Sequence, residues 1–139
     1  MNCTETFHTS RCTPHENSLY NSGTRCNRTV LPSHGYGGLV YCSGQIGLLP
    51  DGQWAAGGVA EQTTQALANL RAVLHESGSR PDLVIRAEIF LKDMNDFNVV
   101  NEIYEAFFDG HRPARACIEA ARLPKDALVE ISAIAATAD

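Results

Sequence analysis

The segment Arg112-Pro113-Ala114-Arg115-Ala116-Cys117-Ile118-Glu119 places an arginine, Arg115, at the start of an otherwise apolar run of strand-forming residues. An arginine is expensive to bury. Its planar fork matches a carboxylate through two parallel hydrogen bonds, so Arg115 would anchor a small acid at a strand end. The same spacing also suits a surface salt bridge. Glu130 interrupts Leu128-Val129-Ile131 in a second such run. A carboxylate among buried neighbours needs a partner or a task. It could hold and polarise a water, its pKa raised by desolvation or lowered by an arginine, or it could face solvent from a half-exposed strand. Cys117 lies two residues beyond Arg115, hence on the same strand face. A nucleophilic thiol would need a nearby base, and no histidine is placed to serve, so packing is the better account. Ser43 stands where an apolar run breaks before Gly44. Its hydroxyl or the adjacent amides could bind a polar ligand group, or close a strand-end hydrogen bond.

The elements that must position these residues follow from hydrophobic patterning. Leu39-Val40-Tyr41-Cys42 is an apolar, β-prone run that pauses at Ser43-Gly44-Gln45 and resumes at Ile46, followed by turn residues Pro50-Asp51-Gly52. Val59, Ala66, Leu67, Leu70, Val73 and Leu74 share one helical face, which predicts a helix over 58–77 with Gly78 as its stop. Leu83 to Leu91 reads as a strand with little water on either face. Asp93, Asn95 and Asp96 are helix-start residues. Phe97, Val100, Ile103, Tyr104, Phe107 and Phe108 then recur at steps of three and four before Gly110. Ala114 to Leu123 and Leu128 to Ala136 are two more strands, separated by Pro124-Lys125-Asp126. The order β-α-β-α-β-β predicts an α+β fold, one sheet with two helices packed on one face. Its other face still carries apolar residues, and self-association into a closed homo-oligomer would cover them.

Composition narrows the partners. With 139 residues, 44% of them hydrophobic, the chain reads as one domain. A formal net charge of −5 repels phosphate backbones, and no aromatic residues interleave with a basic patch, so nucleic acid is disfavoured. No apolar run could span a bilayer, and no signal-peptide order is present, so a soluble, cytoplasmic protein without membrane partners is expected. Residues 1–38 are polar and aperiodic and read as an irregular N-terminal arm, with the domain proper at 39–139. Three of the five cysteines lie in this arm, which argues against a disulfide scaffold. His8-x3-Cys12-x2-His15 has ligand types at metal spacing, but lacks a compact fourth partner beyond Cys26 or His34, so no metal is expected.

Several motifs in register resemble the RidA (reactive intermediate deaminase) family: Ser43-Gly44-Gln45-Ile46, Glu61-Gln62-Thr63 with Asn69-Leu70, Phe90 to Phe97, Asn101-Glu102-Ile103-Tyr104, Pro113-Ala114-Arg115 and Arg122 to Ile131. The resemblance covers roughly 100 residues of the chain. It implies a chorismate-mutase-like subunit, assembled as a homotrimer with sites in the clefts between subunits. It also implies hydrolysis of 2-imino acids and their 2-aminoacrylate tautomers to 2-keto acids and ammonia, without a cofactor because an iminium carbon is already electrophilic. By the same resemblance Arg115 binds the substrate carboxylate and Glu130 is associated with the hydrolytic water. Ser43 and Asn101 support the site; Cys117, on the same strand face as Arg115 by spacing, is grouped with the substrate-binding residues. A tight hairpin at Lys125 would set Arg115 and Glu130 roughly 16 Å apart. Either their strands are not neighbours, or one site draws on two chains. The family's Gly-Pro-Tyr tyrosine is missing, since Val30 stands at that position; either Tyr36 or Tyr20 reaches in from a differently folded arm, or the pocket lacks a phenol. Two alternatives stand beside the generic deaminase: a pathway-specific relative acting on 2-aminomuconate-type acids, and a non-catalytic trimer that binds keto acids.

Overall fold

The computed structural model describes residues 33–138. Leu67, Leu70 and Leu74 recur at steps of three and four and are fully buried, which aligns helix α1 (Val59–Glu76) along the core. Helix α2 (Phe97–Phe108) buries Val100, Tyr104 and Phe108 in the same way and ends where Asp109 turns into the left-handed region with φ 44°. Both helices cover one face of a sheet formed by β1 (Ser33–Tyr36), β2 (Leu39–Ile46), β3 (Val84–Leu91), β4 (Ala114–Glu119) and β5 (Val129–Ala136).

The sheet runs β1-β2-β5-β3-β4. β5 is central, antiparallel to both β2 and β3, while β4 joins β3 in parallel. A parallel pair needs a long crossover, and α2 supplies it. The last two strands are therefore not a hairpin, because β3 lies between them. β4 stops at Glu119, short of the expected Leu123, and the chain leaves the sheet through the turn at Pro124–Asp126, where Lys125 has φ 55°.

The irregular segment read as far as residue 38 ends earlier. Ser33–Tyr36 pair with Leu39–Cys42 through a two-residue turn at Gly37 and Gly38, both with positive φ, which matches the right-handed twist of a hairpin. This edge strand is largely exposed and carries no apolar alternation, so periodicity had nothing to register. The ligand-type residues His8, Cys12, His15 and Cys26 lie outside the described residues.

Polar side chains of α1 tie it to the sheet ends. Gln62 Oε1 accepts from Leu128 N (2.9 Å), and Asn69 Nδ2 donates to the carbonyls of Ile46 and Leu48. The helix approaches Gly47 so closely that a Cβ there would sit 2.6 Å from Gln62 Cα. One expectation changes. β3 is dry only on the helix side, where Val84, Ala87, Ile89 and Leu91 are buried, while Arg86 is exposed and Glu88 and Phe90 are partly covered on the other. That open face also presents Tyr41, Ile118 and Ile134. Leu70→Ala is expected to lower the unfolding free energy by about 3–5 kcal/mol, read from urea denaturation at fixed protein concentration. A loss below about 1 kcal/mol would remove Leu70 from the core.

Candidate active site

Arg115 pairs with Ala87 and Cys117 with Ile89 across the parallel ladder. Ala87 and Ile89 face the helices, so Arg115 and Cys117 do too. The guanidinium lies 5.0 Å from the ring centre of Tyr104 and 5.7 Å from that of Phe97, and donates to Asn101 Oδ1. Asn101 donates in turn to Glu105 Oε1 (2.9 Å). Positions 97, 101, 104 and 105 form one stripe on α2, so the helix gives Arg115 two ring faces and an amide. The ion pairs among the described residues join Arg80 to Asp82, Arg86 to Glu88 and Arg122 to Asp126, and none involves Arg115. A cleft of about 630 Å³ opens beside it, lined by Tyr104, Glu105, Gly110, His111, Arg112, Pro113 and Arg115. The Tyr104 hydroxyl is buried with no partner among the described residues. Burial pushes its pKa up to about 12 against the opposing pull of Arg115, so it is a neutral phenol. Burial also raises the Cys117 thiol, again opposed by Arg115, which keeps the sulfur protonated.

Glu130 is built differently. It pairs with Phe90 on one side and Ile46 on the other, all on the open face. Between Cys42↔Ala133 and Gln45↔Ile131 the ladder slips, so Ser43 and Gly44 together oppose Ser132 in a bulge. Gln45 Nε2 braces it by donating to Ser43 O (3.1 Å). The Glu130 carboxyl lies over Gly44, where a Cβ would run into Oε1, so glycine is the residue that admits it. Half-burial raises the Glu130 pKa.

Arg115 and Glu130 therefore occupy opposite faces of the sheet. Their register positions on β3 are Ala87 and Phe90, which puts the two Cα atoms about 10 Å apart along the strands and about 10 Å across them. One small ligand cannot touch both within a single chain.

The family model described as Endoribonuclease L-PSP matches residues 14–137. This chain belongs to that family, the Rid family. It is 50% identical over 99 residues to the RutC family protein UK114 of Drosophila melanogaster, covering 70% of this chain and 72% of that protein. It is 48% identical over 97 residues to the 2-iminobutanoate/2-iminopropanoate deaminase of Rattus norvegicus, covering 69% and 71%. The structure of E. coli TdcF with bound serine superposes with a TM-score of 0.77 at 34% identity, covering 87% of this chain and 96% of that one.

Within this Rid chain the residues singled out by sequence fall into two groups: Arg115, Asn101 and Cys117 on the helix side at the β4 edge, and Glu130 with Ser43 on the open side. Tyr36 reaches neither group within the chain. It is 77% exposed and pairs with Leu39, at the far end of β2 from Ser43. Val30 and Tyr20 lie outside the described residues. Sequence reasoning missed Phe97 and Tyr104 as the platform under Arg115, having read them only as core, although Asn101 in the same stripe is a polar signal. From the sequence Gly44 marks a strand break; the structure makes it the seat of the Glu130 carboxyl. Because Glu130 keeps its proton to higher pH folded than unfolded, the folded chain binds more protons between the two pKa values, and stability falls as pH rises through that window. Glu130→Gln removes that fall, so urea denaturation should show the variant gaining on wild type from about pH 4 upward. A pH-independent difference would mean that the carboxyl is not desolvated.

Proposed function

We propose that the chain hydrolyses 2-imino acids and their enamine tautomers, of the 2-aminoacrylate, 2-iminopropanoate and 2-iminobutanoate type, to 2-keto acids and ammonia. The observation that carries this reading is Arg115. Its guanidinium rests on two ring faces and one amide, with no carboxylate partner among the described residues and with its cleft beside it. Such a cation is prepared for a ligand carboxylate, because the protein has fixed its orientation without consuming its charge. The deaminase names of similar proteins, and the serine bound to a structural relative, support a small amino- or imino-acid ligand.

The site is completed by a second copy. A ligand on Arg115 of one chain meets Glu130 and Ser43 only if another chain brings its open face to the β4 edge, and three copies around a threefold axis form three such clefts. That arrangement also covers the apolar residues of the open face. The Glu130 carboxylate takes a proton from a water whose oxygen adds to the imine carbon. Starting from the protonated imine, it gives that proton to nitrogen and takes the proton of the added hydroxyl as the carbon–nitrogen bond breaks, so ammonia leaves and the carbonyl of the keto acid forms. Asn101 holds Arg115, Ser43 supplies a hydroxyl beside Glu130, and Cys117 borders the carboxylate as a neutral thiol. The residues call for no cofactor in this sequence, and the reaction belongs in the cytoplasm, where pyridoxal-phosphate enzymes release such imines. A nuclease reading is disfavoured by the net charge of −5.

The test couples the protein to a serine dehydratase or an amino-acid oxidase that generates imino acids in place, and follows keto-acid formation with semicarbazide trapping. Wild type should accelerate hydrolysis, and Arg115→Ala should lower kcat/KM on the order of 100-fold. No acceleration by wild type with short or branched imino acids would end the deaminase reading. Sedimentation at micromolar concentration should give about three times the 15.1 kDa of one chain, and a monomer would rule out a site shared between copies.

A further inference from the structure

Among the described residues five arginines are engaged. Arg80, Arg86 and Arg122 are in ion pairs, Arg71 lies over the Phe107 ring, and Arg115 rests on α2. Arg112 has no ion pair, hydrogen bond or ring contact with any of the described residues, and it lines the same cleft as Arg115. The one carboxylate in that lining, Glu105, already accepts the Asn101 amide. Two guanidinium groups thus share a concave, solvent-open space with less than their charge in anions, and a second negative group on the ligand would pair with the charge left over.

The loop fixes the backbone on either side of Arg112. Asp109 and Gly110 turn the chain at φ 44° and 87°, and the His111 ring nitrogen Nε2 sits 2.6 Å from the Val84 carbonyl oxygen. Pro113 then fixes the backbone immediately before β4. Three residues of chain separate the two Cα atoms by at most about 10 Å, a span that two long side chains can close around one small diacid.

We propose that this cleft selects dicarboxylic 2-imino acids, with Arg115 gripping the carboxylate next to the imine carbon and Arg112 gripping the distal one. The inference rests on the deaminase reading above and specifies its substrate class. The chemistry is unchanged: water adds to the imine carbon, the carbon–nitrogen bond breaks, and a 2-keto diacid and ammonia leave.

The experiment compares 2-iminoglutarate and 2-iminosuccinate, generated in place by oxidases acting on glutamate and aspartate, with 2-iminobutanoate. Wild type should show the higher kcat/KM on the diacids. Arg112→Gln should lower the diacid-to-monoacid ratio by about 10-fold or more, and Arg112→Lys should restore part of it. Hydrolysis of the monoacid alone, or a ratio unmoved by Arg112→Gln, overturns the proposal while leaving the deaminase reading intact. If neither class is hydrolysed, the deaminase reading falls, and calorimetric titration decides the diacid preference by itself. Tighter binding of 2-oxoglutarate than of 2-oxobutanoate, lost in Arg112→Gln, supports it, and equal binding overturns it.

Discussion

The ladder that β3 makes with its two neighbours governs the rest of the molecule. Parallel pairing to β4 sets Arg115 opposite Ala87, and antiparallel pairing to β5 sets Glu130 opposite Phe90. Ala87 and Phe90 are three residues apart, an odd number, and side chains alternate faces with a period of two. The arginine is therefore committed to the helix side and the glutamate to the open side. A slip of one residue in either ladder would reverse one of them; in the β5 ladder it would also turn the buried Val129, Ile131, Ala133 and Ala135 outward, so their burial protects the placement of Glu130.

The two groups are stabilised by opposite means. Aromatic faces and an amide orient Arg115 without pairing its charge, on an edge strand where solvent still reaches. Glu130 is partly desolvated in the middle of the sheet, where the bulge at Ser43-Gly44 removes a side chain to admit its carboxyl. The first environment suits a group that must stay ionised. The second suits one that must exchange a proton. Under the proposed function neither environment is complete in one chain, and the apolar open face and the functional groups would then share one reason to meet a second copy.

Much of this was legible in the residues themselves. The two helical stripes, the turn at Pro124-Lys125-Asp126 and four strands follow from periodicity and punctuation, because burying one face of each element is a local demand written at every third or second residue. Arg115 and Glu130 stood out for the related reason that charge inside an apolar run is costly and therefore informative. The short edge strand Ser33–Tyr36 left no such trace, since nothing in it needed burying and its only signal was the Gly37-Gly38 turn.

By itself, then, the sequence determined which residues are chemically conspicuous, which elements carry them and which family the chain resembles. Only the tertiary structure decided that β3 lies between the last two strands, that Phe97 and Tyr104 serve as a platform for a cation, and that Gly44 makes room for a carboxyl. Those facts depend on pairing between segments far apart in the chain. Strand order and register are set by the closing of a whole sheet under two helices, and no local pattern of residues encodes them.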